Sequence, residues 1–129
     1  MSILTRSTIA AAVLATAATG ALVGGGAAPA SAGNCSTIAG VLQCGGVKNA
    51  SSSPKDIAYT MNWNPNGGQV TSGWLKPGQS KGGRGTGVDV DGYYIPTGCV
   101  GYGGTSTSGQ TQGWYKIADI TNATITLYC

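Results

Sequence analysis

The chain has no His, no Glu and no Phe, and charged residues make up only 9% of it. Each absence removes chemistry. Without His, Ser-His-Asp and Cys-His catalysis are excluded, and nearly every zinc site with them. Asp56, Asp89, Asp91 and Asp119 are all the acidic side chains there are. Beyond residue 32 these four acids face six cations, a net charge of about +2. That is too weak to advertise a nucleic-acid or membrane partner. There is no Cys-x-x-Cys, so a redox pair is not expected. Beyond residue 32 no stretch offers ten residues of helical periodicity.

What is present begins with a leader. Arg6 precedes an apolar run from Ile9 to Val23, and small residues follow to Ala30-Ser31-Ala32. A positive start, an apolar middle and a small-x-small cut site define a secretory signal peptide, expected over 1–32. The run is short and rich in Ala and Thr, which argues against a membrane anchor. Ala32-Gly33-Asn34 before Cys35 lacks the aliphatic start of a lipid-attachment box. The expectation is a mature domain over 33–129, released outside the cell.

The four cysteines, Cys35, Cys44, Cys99 and Cys129, all lie beyond residue 32. An even set in a small exported domain predicts disulfides. Four cysteines allow three connectivities; the favoured one is Cys35–Cys44 with Cys99–Cys129. The first closes a short Gly-containing loop, and the second staples the last strand to the end of an earlier one. Each contributes about 3 kcal/mol in the chain-entropy view. A core this small is marginal without such help.

Of the 23 glycines, 19 lie beyond residue 32, clustered between short alternating runs. That is the pattern of an all-β domain with long turns. Strands are expected at 44–48, 57–63, 69–75, 88–95, 114–117 and 121–129. Asn64-Pro65-Asn66-Gly67-Gly68 and Lys76-Pro77-Gly78-Gln79 carry strong turn chemistry. Segments 80–87 and 101–113 read as mobile loops. In 88–95, alternation puts Val88, Val90 and Tyr94 on one face and Asp89, Asp91, Tyr93 and Ile95 on the other. In 121–129 it puts Ala123, Ile125, Leu127 and Cys129 together. The expected fold is a small antiparallel β-sandwich or barrel of about six to seven short strands, stapled by two disulfides.

Three groups of residues are candidates for function. Asp89 and Asp91 project from one strand face, roughly 6–7 Å apart at the backbone. Such a pair can bind calcium or share a proton, though the third acid and closing Glu of an EF-hand are missing. The plainer reading is a solvated face whose charges discourage edge pairing, with no metal and no cofactor. Glycosidase chemistry needs a second carboxylate across a cleft, and Asp56 and Asp119 alone remain to supply it. Lys76, Lys81 and Arg84 form an acid-free basic loop, readable as solubilising or as the contact loop of an inhibitor. Finally, Trp114, Tyr93 and Tyr128 fall on outward faces, with Trp74 as a fourth candidate. Outward aromatics on a charge-poor β surface can stack on sugar rings or centre a protein contact; otherwise they pack against loops. Asn49-Ala50-Ser51 and Asn122-Ala123-Thr124 match the glycosylation sequon, a match common by chance.

Ala30-Ser31-Ala32, the stretch Leu75–Ser80, the stretch Asp89–Pro96 and the terminal Cys129 together give the chain a familiar outline. It resembles small secreted β-proteins of high-GC Gram-positive bacteria, a group with no assigned activity. The resemblance implies location and fold. A looser one is to the secreted α-amylase inhibitors of such bacteria, which are two-disulfide β-sandwiches. Their Trp-Arg-Tyr contact motif does not occur here, and the cysteine spacing differs.

The resulting expectation is a secreted, monomeric, non-enzymatic binding module that contacts a polysaccharide or another protein. No nucleic acid, membrane or cofactor is involved. The alternative is an inhibitor of a secreted protease or amylase acting through Lys76, Lys81 and Arg84.

Overall fold

Short alternating runs and backbone pairing through glycine together build the fold. A computed structural model of the chain describes residues 35–129; the leader expected over 1–32 lies outside them. The described residues are all-β, with eleven short strands in three sheets and no helix. In chain order they are β1 (Ser36–Ile38), β2 (Val41–Gln43), β3 (Gly46–Asn49), β4 (Ile57–Thr60), β5 (Gly73–Leu75) and β6 (Ser80–Gly82). There follow β7 (Gly92–Ile95), β8 (Val100–Gly103), β9 (Ser106–Gln110), β10 (Gly113–Lys116) and β11 (Asn122–Tyr128).

A five-stranded sheet runs β9-β8-β11-β3-β6, a four-stranded sheet runs β10-β7-β4-β5, and β1 and β2 form a hairpin. Neighbours are antiparallel except β11 and β3, which run parallel with Ala123 beside Val47. Among the described residues no sheet closes into a barrel.

The strand count exceeds expectation because two glycine- and serine-rich stretches pair after all and residues 36–43 add the β1–β2 hairpin. Segment 101–113 is not a mobile loop: β9 returns along β8, with Ser106 opposite Gly103. Segment 80–87 is likewise pinned. β6 pairs with β3, and the amides of Gly83 and Gly85 donate to the carbonyls of Gly45 and Leu42. A ladder needs backbone groups and not apolar side chains, so hydrophobic pattern alone misses such strands.

β11 follows its pattern: Ala123, Ile125 and Leu127 are buried. They join Val47 on one side of a single core whose other side is Ile57, Leu75, Tyr93 and Ile95. Val90, Cys99 and Ile117 complete the cluster. Each such aliphatic or aromatic side chain contributes roughly 1.5–3 kcal/mol by leaving water. Cys35 is bonded to Cys44, and Cys99 to Cys129.

The expected alternation over 88–95 fails. Val90 is in the core, but so are Tyr93 and Ile95. Strand β7 starts only at Gly92, and Val90 enters the core from the preceding loop, its amide bound to the Gly45 carbonyl. The parity read from Val88 and Val90 therefore does not carry into the strand. A one-residue slip exchanges every inward and outward side chain, so Tyr93 points in and Tyr94 out.

Candidate functional site

The outer face of the four-stranded sheet carries a row of residues in direct register. Trp114 of β10 pairs with Tyr94 of β7, Tyr94 with Ala58 of β4, and Ala58 with Trp74 of β5. Residues directly opposite on neighbouring strands share a face. The row therefore reads aromatic, aromatic, small, aromatic. Trp114 and Tyr94 pack as a tilted pair, with ring centroids 5.3 Å apart and planes at 55°. Trp74 stands alone across Ala58 and is 60% exposed.

Ala58 is what opens the groove. With only a methyl group at that place, the walls formed by Trp74 and Tyr94 are separated by two strand spacings, about 9.5 Å at the backbone. The space between is about 260 Å³, lined by Ala58, Thr71, Trp74, Tyr94 and Trp114. Polar groups reach its edge: the Gln112 amide donates to the Tyr94 hydroxyl at 2.9 Å. No charged side chain lines it.

The other candidates lie elsewhere. Tyr93, expected outward, is fully buried and stacks on Tyr115 at 5.7 Å. Its hydroxyl donates to Gln110 Oε1. Tyr128 is outward as expected, 63% exposed, but on the outer face of the five-stranded sheet. There it meets Tyr102 edge to face at 5.5 Å beside Val100. The four aromatic candidates thus fall in three places, and Trp74 and Trp114 alone share one. Sequence reasoning missed Tyr94, which it placed inside, and Ala58, whose significance lies in its cross-strand partners.

In the basic segment, Lys76 and Arg84 are exposed. Lys81 is half-buried opposite Val47 in β6. The three do not form the free loop the sequence suggested.

Asp89 and Asp91 do not lie on a solvated face; they are 3% and 7% exposed. Asp89 Oδ1 accepts the Gly45 amide at 2.6 Å, and Asp91 Oδ2 accepts the Trp63 amide at 3.1 Å. Burial pushes the Asp91 carboxyl above its ordinary value. The Trp63 amide opposes that shift, the charge of Asp89 adds to it, and Lys116 opposes it. Lys116 holds its ammonium over the Trp63 ring, 5.9 Å from the centroid. Asp119 joins the pair from the loop between β10 and β11, a third acid that nothing local in the sequence announces.

Of the two sequons, Asn49 is fully buried, its amide nitrogen donating to the carbonyls of Lys55 and Leu75. It is closed to modification in the folded state.

No protein-family model, no curated protein and no solved structure matches the chain.

Proposed function

We propose that the protein is a secreted, non-enzymatic binding module that holds a sugar polymer in the groove between Trp74 and the Tyr94–Trp114 pair. The two larger sheets are read as the layers of a β-sandwich, and the groove lies on an outer face. Export is inferred from the leader features of 1–32, and the two disulfides fit an oxidising compartment.

One observation carries the reading: an in-register row of aromatics interrupted by Ala58. The C–H faces of a pyranose pack against aromatic rings, and its hydroxyls need hydrogen-bond partners at the rim. A ring touched on both sides at 3.5–4.0 Å requires walls about 7–8 Å apart. Two strand spacings, about 9.5 Å, supply that once the side chains lean inward. The Tyr94 hydroxyl, the Gln112 amide and Thr71 offer the polar partners. The absence of charge in the lining favours a neutral glycan over an anionic one. The proposed partner is an extracellular polysaccharide of the cell wall or the environment, bound by a monomer, with no nucleic acid or membrane involved.

The inhibitor reading has less behind it. Its loop is tied down by the bonds of Gly83 and Gly85, and Lys81 is half-buried.

Affinity electrophoresis of the oxidised protein through neutral polysaccharides and a cell-wall extract tests the proposal. Retardation is expected, and Trp74→Ala or Trp114→Ala should each weaken it roughly tenfold or more. Tyr128→Ala, on the opposite sheet, should leave it unchanged. Migration unaffected by every glycan, or retardation insensitive to both Trp replacements, overturns it. Capture of one protein instead of a glycan reassigns the groove to a protein contact.

A further inference from the structure

Asp89, Asp91 and Asp119 each bring a carboxylate oxygen into one cluster in which these atoms all lie within 4.8 Å of one another. Two of the three side chains are buried. Three carboxylates at this spacing repel strongly unless something positive lies among them.

A second observation concerns Asp89 alone. Its Oδ1 is satisfied by the Gly45 amide, while its Oδ2 is buried and has no hydrogen-bond partner. Among the described residues the only other such side-chain atom is Asn49 Oδ1, a neutral amide oxygen. A buried carboxylate oxygen left without a partner is far more costly than a buried amide oxygen. With Oδ1 held by the Gly45 amide, Oδ2 is the Asp89 oxygen left free to ligate.

We propose that Asp89, Asp91 and Asp119 bind a calcium ion. The donor set is all oxygen and all anionic, which selects a hard divalent cation. Two oxygens bound at about 2.4 Å to one ion are at most about 4.8 Å apart, and every pair in the cluster meets that limit. Magnesium, at about 2.0–2.1 Å, demands a tighter octahedron. Asp119 is half-buried and opens onto a groove of about 540 Å³ lined also by Ser36, Thr105, Lys116 and Ile120. The ion enters there and keeps water on that side. The Ser36 hydroxyl donates to Asp119 Oδ2 at 3.3 Å and holds that ligand at the rim. Bound calcium ties the segment before β7 to the β10–β11 loop. Through Asp89 and Asp91 it also braces Gly45 and Trp63. Its effect is on stability, and it does not depend on the glycan reading.

Thermal melting of the oxidised, chelator-treated protein tests this with calcium chloride as the probe. At about 10 mM, tenfold or more above the roughly 10⁻⁴–10⁻³ M of extracellular sites, the midpoint should rise by about 6–11 °C or more. Magnesium chloride at equal ionic strength should do less. Asp119→Asn should abolish the calcium shift, whereas Asp56→Asn, at an exposed position, should keep it. Terbium luminescence of the unaltered protein gives a readout that does not depend on any variant folding. Trp63, beside Asp91, should sensitise bound terbium, and calcium should displace it with one-to-one stoichiometry. A midpoint indifferent to calcium, an equal shift in Asp119→Asn, or absence of sensitised terbium emission overturns the site. A larger shift with magnesium overturns its assignment to calcium.

Discussion

The Tyr93 hydroxyl donates a 2.6 Å hydrogen bond to Gln110 Oε1, and both residues are buried. The bond joins β7 of one sheet to β9 of the other across the core. It explains how a polar, glycine-rich strand is held in place: β9 contributes little apolar surface, but it presents the one acceptor that a buried phenol needs.

Removing that hydroxyl leaves the Gln110 amide oxygen buried without a donor. Tyr93→Phe should cost about 1–3 kcal/mol, as read from the midpoint of urea unfolding with the slope unchanged. Pairing it with Gln110→Met, which removes the acceptor too, should recover part of the loss. Strictly additive costs would show that the two side chains do not interact.

The groove makes a separate prediction, because a larger side chain at Ala58 occupies the space between its walls. Ala58→Ile places a branched side chain between Trp74 and Tyr94, on a strand where such residues are favoured. Glycan retardation should be lost while the thermal midpoint stays within a few degrees. Loss of binding accompanied by unfolding would make the experiment a test of packing instead, and circular dichroism separates the two outcomes.

What the sequence reveals about this fold depends on how much of each element's partner lies nearby. β11 was legible because Ala123, Ile125 and Leu127 alternate with polar residues and all face one core. The β4–β5 hairpin was legible from turn chemistry, although its strands proved shorter than the alternation implied. β7 was not, because Gly92 has no side chain to mark its face and Val90 reaches the core from outside the strand. Trp114 was legible as outward and Trp74 as a candidate, yet their meeting across Ala58 is a fact of register between strands distant in sequence. The acidic cluster was half visible, as Asp89 and Asp91. Asp119 could be added only once the β10–β11 loop had been placed in space.

Gly92 gives a prediction about that hidden parity. A methyl group there would lie 2.8 Å from the Trp63 ring and 2.9 Å from the Tyr115 carbonyl oxygen. The carbonyl belongs to the paired strand β10 and cannot easily retreat. Gly92→Ala should therefore destabilise by about 1–3 kcal/mol through overpacking, although alanine is otherwise the better strand residue. It should also shift the Trp fluorescence, since the Trp63 ring must move. A neutral or stabilising effect with an unchanged spectrum would contradict the close approach.

The two disulfides should differ in worth. Cys99–Cys129 spans 30 residues and fastens the end of β11 beside the start of β8, where Tyr128 already pairs with Val100. Cys35–Cys44 spans 9 residues and closes only the β1–β2 hairpin. In the chain-entropy account the first contributes about 3.6 kcal/mol and the second about 2.6 kcal/mol. Replacing Cys99 and Cys129 by Ser should therefore lower stability by about 1 kcal/mol more than replacing Cys35 and Cys44. The longer bridge also closes the one sheet that contains the parallel β3–β11 pair, and parallel pairing is slightly weaker per residue than antiparallel. Its loss should expose β11 amides to hydrogen exchange ahead of those in β4 and β7. If both double variants melt together, or β11 stays protected without its disulfide, the five-stranded sheet is held by its packing on Ile57, Tyr93 and Ile95 and not by the cross-link.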